Sequence, residues 1–295
     1  MTQVTQTPYI QNLLDRAAGL DTEGGSARLK PILRDLLEAL FGIIEKHDVT
    51  ETELWRAVSY LGESGPEFGL IVPGIGLEHF MDIVLDARDE AAGVSGGTPR
   101  TIEGPLFVEG APRTGADTAM SDSPEEGETL VISGVVRDEA GKPLPGATVD
   151  VWHADSRGFY SHFDPTQKLG EFDLRRQLTL GEDGRYTVRT VMPVGYSIPP
   201  GGATETLMKA LGRHGDRPAH VHFFASVPGY RHLTTQINIA DDPKVDDDFA
   251  FGTRDGLVPP ITRRDGAAHI EFDLVMVPRR EGATNDRSER ARMTA

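Results

Sequence analysis

The sequence predicts an α+β protein, in which an N-terminal helical bundle domain precedes a mainly antiparallel β-sandwich domain. Apolar side chains recur at helical spacing through residues 1–100, whereas residues 101–280 read as short β segments separated by turn formers. The stretch AAGVSGGTPR at 91–100 breaks the helical pattern, so we place the domain boundary there. The polar tail, 281–295, is expected to be disordered.

The helical domain is predicted from four amphipathic stretches. The strongest is 28–46, whose apolar residues recur at i, i+3, i+4 and i+7 and whose Pro31 fits only in a first turn. Its wide apolar stripe either packs within the protein or forms a subunit interface. Thr50 followed by Glu53 has the capping-box pattern that begins another helix. Further helices are expected at 8–20, 75–90 and, in the second domain, 202–212.

The second domain is predicted to contain six main strands without long helices between them. A succession of short strands of this kind is typical of a β-sandwich or barrel. The predicted strands are 129–136, 147–154, 184–192, 219–227, 233–240 and 269–277.

Composition narrows the class of function. The chain has 295 residues and no cysteine, which excludes disulfides, thiolate ligands and cysteine nucleophiles, so any metal must be held by His, Tyr or carboxylate. The net charge of −16 argues against nucleic acid as a partner. No apolar run approaches the ~20 residues of a membrane span, and no secretory signal pattern opens the chain. We therefore expect a cytoplasmic enzyme that does not insert into a membrane.

The run RPAHVHFF at 217–224 carries two histidines, His220 and His222, at i and i+2 of a predicted strand. Side chains alternate across a strand, so both imidazoles point to one face, while Val221 and Phe223 point to the other. Such a pair is either two ordinary surface or core histidines or half of a metal site.

Two tyrosines lie in loops flanked by Gly or Pro, Tyr160 in GFYSHFDP and Tyr196 in MPVGYSIPP. Each is either an exposed aromatic or a ligand. A phenolate oxygen is a hard, anionic ligand suited to Fe(III), and the tyrosine pKa of about 10 means that a charged metal would be needed to ionise it.

Five longer segments carry a resemblance. They are TPRTIEGPLFVEGAP (98–112), DVWHADSRGFYSHFDP (150–165), MPVGYSIPP (192–200), LGRHGDRPAHVHFF (211–224) and LTTQINIADD (233–242). In this order they resemble the intradiol ring-cleaving dioxygenases, and the likeness runs from about residue 10 to 277. The resemblance implies cleavage of catechol by O₂ to cis,cis-muconate, as in aromatic degradation by the beta-ketoadipate pathway.

The resemblance also implies one non-haem Fe(III) per subunit, held by Tyr160, Tyr196, His220 and His222. Tyr196 would leave the iron when substrate arrives and take a substrate proton. Arg217 would stabilise charge on the substrate as it is oxidised, and Gln236 would lie close to the iron. The helical domain is expected to form a homodimer interface with a tunnel that can hold a phospholipid.

The substrate pocket implied by the resemblance is apolar, as an unsubstituted aromatic ring requires. Its expected residues are Leu70, Pro73, Ile102, Pro105, Leu106, Ile198, Phe249 and Ala250. Hydroxyquinol-cleaving relatives tend to have an acidic residue at the position of Pro73, so this chain favours catechol, while chlorocatechol stays open. Two other classes are kept as alternatives: an inactive β-sandwich binding module, and a zinc site of the cupin type.

Overall fold

The computed structural model describes residues 4–122 and 126–281, and its described part contains six α-helices. The helices are α1 Pro8–Ala17, α2 Leu29–Lys46, α3 Glu51–Glu63, α4 Phe68–Gly74, α5 Leu77–Ala91 and α6 Ala203–Ala210. The strands are β1 Arg113–Thr114, β2 Asp117–Ala119, β3 Thr129–Asp138, β4 Thr148–His153, β5 Arg175–Thr179, β6 Arg185–Val191, β7 Tyr196–Ser197, β8 Asp216–Arg217, β9 His220–Ser226, β10 Leu233–Asn238, β11 Thr262–Arg264, β12 Ala267–Glu271 and β13 Leu274–Met276.

The described residues 4–65 form one compact unit, which holds α1, α2 and α3. The predicted capping box begins α3: Thr50 N–H donates to the Glu53 carboxylate at 2.9 Å, and Glu53 N–H donates to Thr50 Oγ1 at 3.3 Å. Arg34 of α2 pairs with Asp15 of α1 at 2.8 Å and so joins the two helices. Although α2 follows its predicted span, none of its residues is buried.

The second unit begins at Pro66, which differs from the predicted boundary at 100. The reason is that α4 and α5 are bonded to the strands and loops that follow. Glu67, before α4, accepts the Thr204 N–H at 2.9 Å at the start of α6, and Arg213 donates to the Gly74 carbonyl at 2.6 Å. Asp86 of α5 pairs with Arg100 at 2.7 Å. The Gly- and Pro-rich break at 91–100 is therefore a connection inside this unit.

Two sheets stack around the main core of the second unit. One has the strand order β1-β5-β4-β9-β10, and the other β11-β12-β3-β6-β2, with β13 also paired to β3. The longest ladders, such as β3 with β6 and β9 with β10, are antiparallel. Apolar residues of both sheets, including Ile132, Val151, Val188 and Val221, form a single buried cluster, which makes the pair a β-sandwich.

The predicted strand 269–277 is interrupted between β12 and β13. Asp273 causes the break, because its carboxylate accepts the Val135 N–H at 3.0 Å and the Arg137 Nε–H at 2.8 Å. Phe272 follows the same change of direction and donates its N–H to the Ser133 carbonyl. β3 is thus paired by two short parallel segments in succession.

Within the part of the chain that the structure describes, no single helix is long and apolar enough to cross a bilayer, whereas Gly65–Gly74 and Leu77–Ala91 together reach that length and composition as a bent pair. The polar tail lies outside the described residues apart from Glu281, so its predicted disorder stays a prediction.

Candidate active site

His220 and His222 of β9 point to the side of the strand opposite the sandwich core, and their Nε2 atoms lie 3.0 Å apart. The carbonyl oxygen of Pro218 lies 2.6 Å from Nδ1 of His220. Because a carbonyl only accepts, Nδ1 carries the proton, and the Nε2 lone pair faces His222. The His222 ring stacks on Trp152 of the neighbouring strand with 4.7 Å between centroids. The strand thus holds two ring nitrogens side by side.

Both imidazoles are neutral at pH 7. Burial, reinforced by the Arg217 guanidinium, lowers the pKa of His220 to about 3. Burial, reinforced by His220, lowers the pKa of His222 well below its ordinary value. Neutral imidazole is the form that ligates a metal ion, so deprotonation costs nothing at neutral pH.

Tyr160 lies in the loop after β4, and its hydroxyl oxygen is 3.2 Å from Nε2 of His220. One carboxylate builds this loop: Asp155 Oδ1 accepts the N–H of Arg157 at 2.8 Å and of Phe159 at 2.9 Å. The Tyr160 ring is 2% exposed and packs in a cluster with Trp152 and other aromatic side chains. Its position is therefore fixed by the loop and by the cluster together.

Tyr196 approaches from β7, where it is paired with Arg217 of β8. Its half-buried ring lies 5.6 Å from the Tyr160 ring, nearly perpendicular to it, and 5.7 Å from the ring of His220. Burial and the nearby Tyr196 raise the pKa of Tyr160 well above its ordinary value. In the environment that the protein side chains provide, Tyr160 stays protonated at neutral pH. It can therefore act as a phenolate only beside a strong cation.

The donor set fits a hard metal ion. Two imidazole lone pairs and two phenol oxygens meet in one buried place, and the described residues contain no group of three or more His, Cys, Asp or Glu that could hold a metal. Tyrosine oxygen with histidine nitrogen suits Fe(III), whereas zinc sites of three protein ligands draw on His, Cys, Asp or Glu.

Arg217 completes the site as a buried cation. Its Nε and Nη2 donate to the two oxygens of Asp248 at 3.2 and 3.0 Å, and Nη2 also donates to Gln236 Oε1 at 3.0 Å. Nη1 lies 3.1 Å from Nε2 of His220. Burial opposes the charge, but Asp248 prevails and raises the pKa of Arg217. A fixed positive charge thus lies beside the four donors.

Comparison with known proteins agrees with this arrangement. Family models described as "Dioxygenase" and "Catechol dioxygenase N terminus" match residues 102–278 and 26–93. Catechol 1,2-dioxygenase of Acinetobacter baylyi is 44% identical over 99% of this chain and 98% of its own length, and catechol 1,2-dioxygenase 1 of Acinetobacter lwoffii is 47% identical over 98% and 97%. The chain belongs to the catechol dioxygenase family.

The solved structure of catechol 1,2-dioxygenase from Acinetobacter sp. ADP1, inhibited by bound mercury, superimposes with a TM-score of 0.93 at 43% identity, covering 99% of both chains. A relative named for another substrate is more distant. Hydroxyquinol 1,2-dioxygenase of Rhizobium sp. is 33% identical over 83% of each chain. The predicted fold class is confirmed by the full-length structural match.

The predicted pocket residues of this catechol dioxygenase family member fall into three groups. Leu106 packs against the aromatic cluster of Tyr160 and Tyr196. A second buried cluster is formed with Met208 by Ile102, Ile198, Phe249 and Ala250. The remaining three, Leu70, Pro73 and Pro105, belong to neither cluster, and Leu70 and Pro73 lie on α4. Contact of all eight with one substrate ring stays a prediction.

Sequence reasoning missed two charged residues at the site, Asp248 and Arg175. Asp248 stands in the acidic run DDDF, which reads as exposed loop, although its side chain is 1% exposed. Arg175 starts the unpredicted β5, and its guanidinium lies 5.7 Å from the centre of the Tyr160 ring and donates to Ser161 Oγ at 2.8 Å. In both cases the sequence signal was an ionisable residue directly beside apolar residues.

His153 is a buried neutral histidine whose two nitrogens are both hydrogen-bonded. Nδ1 donates to the Ala154 carbonyl at 2.7 Å, so Nε2 accepts from Thr190 Oγ1 at 2.7 Å. Burial lowers its pKa to about 4. It supports the strand that leads to the Tyr160 loop rather than the donor set itself.

This histidine makes stability depend on pH. The pKa of His153 is about 6.5 in the unfolded chain and about 4 in the folded protein. Between these two pH values, His153 is protonated in the unfolded chain but neutral in the folded protein. Stability therefore falls as pH drops through that window, by up to ~1.4 kcal/mol per pH unit from this group. We expect urea unfolding of the metal-free protein at pH 7, 6 and 5 to show a shallower loss in H153Q than in the unchanged chain. Equal slopes would contradict this assignment.

Proposed function

We propose that this chain cleaves catechol between its two hydroxyl-bearing carbons, using O₂ at one ferric iron per subunit. One O₂ is consumed, the ring carbon–carbon bond breaks, and both oxygen atoms end in cis,cis-muconate. The observation that supports this most is that His222 Nε2 and the Tyr160 hydroxyl both lie within 3.2 Å of His220 Nε2, beside Tyr196 and buried Arg217. We place this activity in the cytoplasm and in aromatic degradation.

Four side chains are proposed to hold the iron: Tyr160, Tyr196, His220 and His222. Ferric iron would supply a Lewis acid that binds catechol as a dianion and draws electron density from the ring, so that a ring carbon can react with O₂. The protein's part is to present two neutral nitrogens and two ionisable phenols. Two anionic phenolates also offset the ferric charge in a buried site.

Proton transfer is assigned to Tyr196. Catechol must lose two protons to bind as a dianion. The phenolate oxygen of Tyr196 can accept one of them, and a hydroxide, which becomes water, can accept the other. Tyr196 is half-buried on the two-residue strand β7, whereas Tyr160 is 2% exposed within its cluster. Tyr196 is therefore the tyrosine with room to move.

Charge stabilisation is assigned to Arg217. Its guanidinium is 6% exposed, and its Nη1 reaches into the donor set, so its hydrogen can stabilise negative charge that develops on the substrate. Gln236 accepts from Arg217 and donates to Asn238 Oδ1 at 2.9 Å, which holds its amide close to the donor set.

Catechol is preferred over substituted catechols. The clustered residues Ile102, Ile198, Phe249 and Ala250 are apolar and offer no charged partner for a third hydroxyl. Relatives named for catechol are also closer in sequence, at 44–49% identity, than those named for hydroxyquinol or chlorocatechol, at 33%. Cleavage of a substituted catechol remains the second candidate, and an inactive binding module a remote one.

A homodimer is proposed through the helical unit. Leu36 and Leu40 of α2 are 54% and 46% exposed, and Trp55 of α3 is 61% exposed. Neighbouring exposed apolar side chains of this kind mark an interaction surface. A phospholipid held at the same interface completes this proposal, and solvent extraction with mass spectrometry of the purified protein tests for it.

The function is tested by iron content and oxygen uptake. We expect about one iron per chain and a kcat/KM that is highest for catechol, lower for 4-methylcatechol and 4-chlorocatechol, and lowest for hydroxyquinol, because the pocket is apolar. Iron-free protein that regains no activity with added ferric or ferrous iron would overturn the proposal. A kcat/KM highest for hydroxyquinol would select the second candidate.

Tyr196→Phe tests the proposed ligand and proton acceptor. The variant should keep its fold, lose part of the visible tyrosinate-to-iron absorption, and lower kcat on the order of 100-fold or more, within the 10²–10⁴-fold typical of acid–base groups. Tyr186→Phe is the matched control, because Tyr186 is buried in the sandwich core, where its hydroxyl donates to the Phe272 carbonyl. Unchanged turnover in Y196F would refute the assignment.

The dimer is tested by the double variant L36E/L40E. Placing two carboxylates on the proposed interface should yield monomers in sedimentation velocity, whereas the unchanged chain sediments as a dimer. Asp35→Ser, a change at an exposed polar position of the same helix, should leave the dimer intact. A dimeric L36E/L40E, or a monomeric unchanged chain, would count against this interface.

A further inference from the structure

The Asp248 carboxylate joins two parts of the site that lie far apart in the chain. Oδ1 accepts from Arg217 Nε at 3.2 Å and from the Ala250 N–H at 3.0 Å. Oδ2 accepts from Arg217 Nη2 at 3.0 Å and from the Gly252 N–H at 3.1 Å. Each oxygen therefore holds one guanidinium hydrogen and one backbone amide of the loop 248–252.

The two hydrogen bonds from Arg217 to the Asp248 carboxylate determine the direction of the Arg217 guanidinium. With Nε and Nη2 held by Asp248, the remaining nitrogen, Nη1, is directed to His220 Nε2 at 3.1 Å. A planar guanidinium fixed along one edge has no rotational freedom left at the other. The orientation of the catalytic hydrogen is thus set by a residue that does not reach the four donors.

The same loop closes tightly on the guanidinium. A Cβ at Gly252 would lie 2.6 Å from Arg217 Nη2 and 2.9 Å from Asp248 Oδ2, so only glycine fits there. Thr101 Oγ1 donates to the Gly252 carbonyl at 2.8 Å and fixes the loop from the other side. Phe249 and Ala250 of this loop belong to the buried cluster that is expected to face the substrate ring.

The ion pair is charged in spite of its burial. Burial acts against the charge of Asp248, but Arg217 and the Ala250 N–H together hold the pKa of that carboxyl below its usual range. A charged, fully hydrogen-bonded pair of this kind is rigid, and removing one member leaves the other uncompensated.

We propose that Asp248 is a positioning residue, which aims Arg217 at the substrate and couples that aim to the pocket wall at Phe249 and Ala250. This inference rests on the proposed function. A substituent on the catechol ring that presses on Phe249 or Ala250 would then also displace the Arg217 guanidinium. Substituted catechols should therefore differ from catechol in kcat as well as in KM.

A double-mutant cycle on the iron-loaded enzyme tests the proposal, with Asp248→Asn, Arg217→Lys and the combined variant. We expect D248N to lower kcat per bound iron by about 10- to 100-fold, the scale of a misplacement near 1 Å. The catechol dissociation constant from anaerobic spectral titration should change far less. In the R217K background the further effect of D248N should nearly vanish, since both changes act through one guanidinium. Asp241→Asn, which alters an exposed pair with Arg263, is the control and should keep kcat.

Gly252→Ala supplies a second arm that leaves both charges in place. Its Cβ should displace the guanidinium and lower kcat per iron, even if D248N fails to fold. Wild-type kcat per iron in G252A, or effects of D248N that multiply unchanged in the R217K background, would overturn the proposal. An unchanged chain without iron-dependent catechol cleavage would instead refute the proposed function, so the two failures are distinguishable.

Discussion

Strand β9 is buried on both faces, and the rest of the site depends on that constraint. Val221, Phe223 and Ala225 fill the sandwich core, so the alternation of the strand directs His220 and His222 to the opposite side. A register slip by one residue would bury the imidazoles in the core and remove them from the site. The apolar core therefore fixes the side of the strand on which both histidines lie, while the Pro218 carbonyl and the Trp152 ring orient the two imidazoles.

Electrostatics then separates the charged groups of the site into two kinds. Arg217 is neutralised by Asp248, so it can stay buried and charged before any substrate arrives. Arg175 is 1% exposed, is bonded to Ser161, and has no carboxylate within ion-pair distance among the described residues. Burial lowers its pKa to about 10, while the facing Tyr160 opposes the shift. A phenolate at Tyr160 would give this guanidinium the anion it lacks, which agrees with an anionic ligand at that position.

The parts of the fold that could be predicted are those where one period dominates. α2 and the strands β3, β4, β6, β9 and β10 each repeat apolar residues at their own spacing, and the structure has them close to the predicted limits. β5 was not predicted because two charged residues, Arg175 and Arg176, occupy its start in place of apolar ones. Their burial depends on partners far along the chain, such as Asp122. The compact unit of the structure begins at Pro66, before the predicted domain boundary, because α4 and α5 look like bundle helices in sequence while hydrogen bonds connect this part of the chain to later segments. The four proposed ligands could be named from motif resemblance, but Asp248 could not, because its role exists only through Arg217.

Tyr160 and Tyr196 lie in different local structures, and this difference suits them to different roles in the proposed site. Tyr160 is enclosed by Trp152 and Phe224 and rests on a loop that Asp155 ties together with backbone hydrogen bonds. Tyr196 stands on a two-residue strand, and the Gly158 backbone packs so close that a Cβ there would lie 3.1 Å from the Cβ of Tyr196. Moving Tyr160 would therefore disrupt a buried aromatic cluster, whereas Tyr196 lies half-buried at the edge of that cluster. Because β7 pairs with β8, Tyr196 lies directly opposite Arg217, so the proposed proton acceptor and the buried cation share one short ladder.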